Sequence, residues 1–86
     1  MSLKRYVKKP VVVRAFQWDG ETIPDEALDG YNVIGRLQVS DDGILMVKTL
    51  EGTVVARPGD YVCFGDHGDV WPVRKDIFED TYEPAP

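Results

Sequence analysis

The sequence predicts a single small α+β domain, mostly antiparallel β, with one or two short helices and a partly open SH3-like barrel as one arrangement. Three observations carry this. Short runs rich in valine and aromatic residues recur along the 86 residues, each bounded by glycine, proline or aspartate. The links between them are too short for the crossovers that parallel neighbours require. Helix-start chemistry is confined to residues 24–28 and 76–79. Residues 1–9 read as a basic N-terminal arm carrying Lys4, Arg5, Lys8 and Lys9, residues 10–83 as the domain, and residues 84–86 as a frayed tail.

The first strand is "PVVVRAFQW", residues 10–18. Its consecutive valines favour extended backbone, and Pro10 suits a first strand position. Val12, Phe16 and Trp18 share one parity and Val11, Val13 and Ala15 the other, so neither face is wholly polar and a place in the middle of the fold is expected. Pro24 and the acids Asp25 and Glu26 suit the start of a one- or two-turn helix through Leu28, with Gly30 as its stop and a loop as the alternative. "YNVIGRLQV", residues 31–39, is a second strand with Gly35 marking a bulge or close packing. "SDDG" turns the chain into "ILMVKTL", residues 44–50.

A two-residue turn at Glu51 and Gly52 would pair Lys48 with Val55 and Val47 with Ala56. Val47, Val54 and Ala56 then face the interior while Lys48 and Arg57 face out, and Val54→Asp is expected to unfold the domain. Glu51 suits such a turn less well than asparagine or aspartate, so a longer turn stays open. Pro58, Gly59 and Asp60 reverse the chain. The next hairpin sets Phe64 against Val70, Cys63 against Trp71, Val62 against Pro72 and Tyr61 against Val73. Pro72 cannot donate to a central ladder, so its strand lies at an edge or carries a bulge. Asp76 suits the cap of a one-turn helix over Ile77, Phe78 and Glu79, with Glu79 completing a capping box, and Thr81, Tyr82 and Glu83 suit a short edge strand.

Composition removes several functions. Fifteen acidic against ten basic side chains give a net charge of -5, which argues against direct nucleic-acid binding through the whole surface. No apolar run approaches the roughly 20 residues that span a bilayer, and nothing near the start reads as a signal peptide, so a cytoplasmic setting is expected. The single cysteine permits no intrachain disulfide, and Cys63 with His67 supplies too few ligands for structural zinc.

The densest chemistry lies in "PGDYVCFGDHGDVWPV", residues 58–73. Cys63 and His67, four positions apart around a turn, need not converge as a nucleophile and base. Cys63 reads as a small hydrophobe beside Trp71, and His67 as an exposed turn residue. The "GDHGD" aspartates lack calcium-loop spacing. Asp60 reads as a turn acceptor. No catalytic residue, cofactor site or metal site is assigned. The residues assigned to protein interaction are Tyr61, Asp66, Asp69 and Trp71: two rigid rings on one expected face, with acids able to steer a basic partner.

"KKPVVVRAFQWDG", "TLEGTVVARPGDYV" and "GDVWPVRKDIFEDTYEP" together resemble a family of small phage and prophage proteins with a PGDY or PGDW turn and an IFxxTYE-like ending. The resemblance spans nearly the whole chain and is weakest over residues 31–42. The sequence departs from it at Arg74 and Lys75, where Lys-Pro is common. It implies phage or prophage origin and supplies no catalytic residues to carry over. The expected function is therefore a noncatalytic accessory protein in the host cytoplasm that binds a host or phage protein. Alternatives are a small enzyme or ligand-binding protein built on the Tyr61 and Trp71 region, and a virion assembly component, for which homo-oligomerisation would be the mark.

Overall fold

The computed structural model describes residues 2–7, 12–29, 36–65 and 68–85. Its elements are β1 (Arg14–Gln17), α1 (Asp25–Asp29), β2 (Leu37–Val39), β3 (Leu45–Thr49), β4 (Gly52–Ala56), β5 (Tyr61–Phe64), β6 (Val70–Val73) and α2 (Lys75–Thr81). The strands form two three-stranded antiparallel sheets, ordered β1-β5-β6 and β2-β3-β4. This is a small α+β domain whose sheets are not closed into a barrel. Expected features at residues 10–11, at residues 30–35 and at Asp66 and His67 lie outside the described residues.

Alternation along the strands builds the core between the sheets. One sheet contributes Leu45, Val47 and Ala56, and the other contributes Val62, Phe64 and Val70. Trp18, just beyond β1, and Ala27 of α1 complete the buried cluster, with Phe16, Ile23 and Leu37 half-buried against it. The rings of Phe16 and Phe64 stack at 6.0 Å. β5 is the central strand of its sheet and is buried on both faces, with Val62 and Phe64 on one and Cys63 on the other. The expectation that the first strand runs through the middle is therefore corrected. β1 lies at an edge of its sheet, and Arg14, Ala15 and Gln17 are exposed.

Trp18 ties β1 to two turns. Its amide donates to Asp60 O at 2.7 Å, and its own carbonyl accepts the Gly59 amide at 2.7 Å. Its indole Nε1–H donates to Gly43 O at 2.8 Å, in the turn between β2 and β3. Gly59 has φ +101°, a conformation that suits glycine in the turn before β5.

The β5–β6 register is the one the sequence predicts, from Phe64 against Val70 to Tyr61 against Val73. The β3–β4 register differs. Thr49 pairs with Gly52, Lys48 with Thr53, Val47 with Val54, and Leu45 with Ala56, so the turn is Leu50 and Glu51. Two features select it. The Thr49 hydroxyl donates to Gly52 O at 2.8 Å and accepts the Glu51 amide at 3.2 Å. Gly52 holds φ +122°, open to glycine, at the first position of β4. Moving the turn by one position changes every cross-strand partner and leaves each residue on its expected face. Val47 and Ala56 are fully buried, and Lys48 and Arg57 are exposed. Val54 shares the core-side parity but sits near the hairpin tip, 42% exposed, so the expectation that it lines the interior is corrected.

α2 begins two residues earlier than the capping box predicts. Arg74 holds the N-cap position with no side-chain cap bond, and Asp76 falls in the first turn, its Oδ1 accepting the Ile77 amide at 2.9 Å. The free amide at Lys75 donates instead to Asp60 Oδ1 at 3.3 Å, while Asp60 Oδ2 accepts the Arg57 amide at 3.0 Å. One carboxylate thus closes the turn before β5 and receives the start of the last helix. Thr81 ends the helix and Tyr82 is extended without joining a sheet, so the expected C-terminal strand is absent among the described residues.

Candidate functional site

The register places Tyr61, Cys63, Trp71 and Val73 on one face of the β1-β5-β6 sheet, opposite the core. Tyr61 and Trp71 then go to different neighbours. Tyr61 stacks on Phe78 of α2, with ring centres 3.9 Å apart and planes 11° from parallel, and Phe78 stacks in turn on Tyr82 at 4.8 Å. The Tyr61 hydroxyl donates to Glu79 Oε2 at 2.9 Å, and Lys75 Nζ donates to Glu79 Oε1 at 2.8 Å. These bonds hold the Glu79 carboxyl below its ordinary range, with Lys75 the larger influence, and raise the Tyr61 phenol, chiefly through the bond to Glu79. Phe78 and Tyr82 stand four apart on and just past the helix, a spacing that could have marked them as one aromatic face. Tyr61 therefore anchors α2 to the sheet.

Trp71 turns toward a groove. Its half-buried ring lies over Gly65, where an added methyl would meet ring carbons at 3.2 and 3.5 Å. Glycine is needed there for close approach rather than for its dihedral freedom. The groove, of about 1000 Å³, runs between β6 and the tip of the β3–β4 hairpin. Trp71, Pro72, Val70, Leu50 and Val54 give it apolar walls, and Arg36, Lys48, Glu51 and Asp69 bring both signs of charge. Leu50 is 89% exposed. The Arg36 guanidinium donates to Gly68 O and so joins the start of β2 to the β5–β6 turn. Of the residues the sequence assigned to interaction, Trp71 and Asp69 meet here, Tyr61 belongs with α2, and Asp66 lies outside the described residues. Arg36, Lys48, Leu50 and Val54 were not anticipated. Only Leu50, an apolar residue beside a turn, carried a local signal.

Cys63 is fully buried as the sequence predicts, and burial pushes its thiol up to about 11. At neutral pH the sulfur is protonated and shielded, the opposite of an activated nucleophile. A thiol-specific chromogenic reagent at neutral pH is expected to label native protein more than about a hundredfold more slowly than unfolded protein, because labelling must wait for an opening of the sheet. Rapid native labelling would show that the Cys63 face is open. Among the described residues, no group of three or more His, Cys, Asp or Glu comes together to hold a metal ion, and no helix is long and apolar enough to cross a membrane.

Fold and site together define a small two-sheet α+β domain with a mixed-charge, aromatic-walled groove at one sheet edge. Compared with protein-family models, curated proteins and solved structures, the chain matches none.

Proposed function

We propose that the chain is a noncatalytic protein-binding module that receives a segment of a partner protein in the groove between β6 and the β3–β4 hairpin. The observation that carries this is the groove lining: a Trp71 ring and four further apolar residues between charges of both signs. A partner of matching chemistry has an apolar side chain seated against Trp71, Pro72 and Val54, flanked by an acid toward Lys48 and a base toward Asp69 and Glu51. The mixed rim replaces the simpler expectation of acids steering a basic partner.

The mode of binding follows from the edge. The Gly65 amide donates to Asp69 O at 2.9 Å. Alternation along the ladder then points the main-chain groups of Trp71 and Val73 at β5 and those of Val70 and Pro72 at the open side. Pro72 presents no N–H there, so the edge is blunted against strand addition and recognition falls to side chains. The motif resemblance makes a host or phage protein, met in the host cell, the proposed partner.

The test is affinity capture from infected host extract with the parent chain and three exposed-site variants. Leu50→Asp and Lys48→Glu are expected to lose the captured protein by about tenfold or more while melting like the parent. Ile77→Asp, on exposed α2 away from the groove, is expected to retain it. A partner lost equally in all three, or in none, would remove the groove from the account.

A further inference from the structure

β4 has no strand partner on its outer side among the described residues. The Lys48 amide donates to Arg36 O at 2.8 Å, so the main-chain groups of Lys48 and Met46 point at β2 and those of Val47 point at β4. By the same alternation Gly52, Val54 and Ala56 bond toward β3, and Thr53 and Val55 turn their N–H and C=O groups to the open side. Unlike β6, the strand GTVVA has no proline and no charged residue to guard that edge. Val54 and Val55 are 42% and 47% exposed. The nearest charges stand just past its ends, Glu51 before and Arg57 after, at the same parity as Thr53 and Val55.

We propose that β4 pairs antiparallel with β4 of a second copy of this chain, about a two-fold axis at Val54, fusing two three-stranded sheets into one of six strands. The sequence selects this register. Thr53 and Val55 carry the outward main-chain groups, and with Val54 on the axis Thr53 meets Val55 of the partner subunit. Glu51 then faces Arg57 of the partner subunit, and symmetry repeats that oppositely charged pair at the other end. Sliding to the next allowed register sets Glu51 against Val55 of the partner subunit, or Arg57 against Thr53 of the partner subunit, and loses both pairs. Glu51 and Val54 also border the groove. The dimer rests on the outward main-chain edge of β4, and its test reads the chain alone with no partner protein present, so its outcome is distinct from that of the capture experiment.

Sedimentation equilibrium of the full chain over a concentration series tests this. A reversible dimer is expected. Arg57→Glu and Glu51→Arg should each weaken it about tenfold or more, because two attractive cross-strand pairs become repulsive. The double swap Glu51→Arg with Arg57→Glu should return the affinity to within about threefold of the parent, because it restores both pairs with signs reversed. Hydrogen exchange should show the Thr53 and Val55 amides open when dilute and protected when concentrated. Circular dichroism checks that each variant is folded. Should a single swap fail to fold, Val55→Pro removes one outward donor without touching the β3 ladder, and loss of the dimer in that variant supports the proposal. A chain that stays monomeric across the series, a dimer indifferent to the single swaps or to Val55→Pro, or single-swap losses that the double swap does not rescue would overturn it.

Discussion

Replacing Trp18 by alanine is expected to abolish the cooperative thermal transition. Trp18 is fully buried, and its ring belongs to the cluster that joins the two sheets. Truncating a buried tryptophan costs about 3–5 kcal/mol through lost burial and the cavity left behind. The indole N–H bond to Gly43 O is also lost, leaving a part-buried carbonyl without its donor at a further cost of about 1–3 kcal/mol. A domain of 86 residues has a total stability of about 4–13 kcal/mol, so the combined loss consumes most or all of it. Trp18→Phe separates the two contributions. It keeps most of the apolar volume and loses the hydrogen bond, and it should still melt cooperatively at a temperature lower by roughly 4–15 °C. Circular dichroism melts of both variants decide the matter. A Trp18→Ala protein that melts near the parent would show that the sheets are joined some other way.

Val47→Asp and Val54→Asp are expected to part company, although the two residues face each other across the β3–β4 ladder. Val47 is fully buried, so a carboxylate there has no hydrogen-bond partner and must be stranded or protonated, at a cost of several kcal/mol. That variant should be largely unfolded at neutral pH. Val54 is 42% exposed at the groove, and its carboxylate can stay hydrated, at a cost of about 1 kcal/mol or less. This reverses what alternation alone implies for Val54. Chemical denaturation of both variants at low concentration reads the contrast, and equal destabilisation would mean that the hairpin tip is packed more deeply than its exposure indicates.

The features that could be read from the sequence are those set by neighbouring residues. Gly65 and Gly68 bound a short turn, and Pro72 had to sit at an edge, which was enough to give every pair in the β5–β6 hairpin. The β3–β4 turn was misplaced because a Glu-Gly pair resembles a turn centre, whereas the Thr49 hydroxyl and the Gly52 dihedral move it back by one. The start of α2 was misjudged for a different reason. Its first amide is received by Asp60, on a turn far away in sequence, and no local pattern reports such an acceptor. The candidate site divided along the same line. Trp71 and Asp69 were visible in one stretch of sequence, while Lys48, Leu50, Val54 and Arg36 reach the groove only because the second sheet brings its hairpin tip alongside β6.

The pairing of β1 with β5 also sets an order of events as the chain leaves the ribosome. β3 and β4 are joined by two residues and can zip as soon as both exist, whereas β1 has no described partner until β5 has been made. The intervening segment must be closed as one long loop before that pairing returns any free energy, the slow kind of contact in folding. During the wait, the valine-rich start of the chain and Trp18 remain solvent-accessible and adhesive. The charged arm just ahead of them, with Lys4 and Arg5 exposed, then lends solubility to the nascent chain at the time its first strand is without a mate.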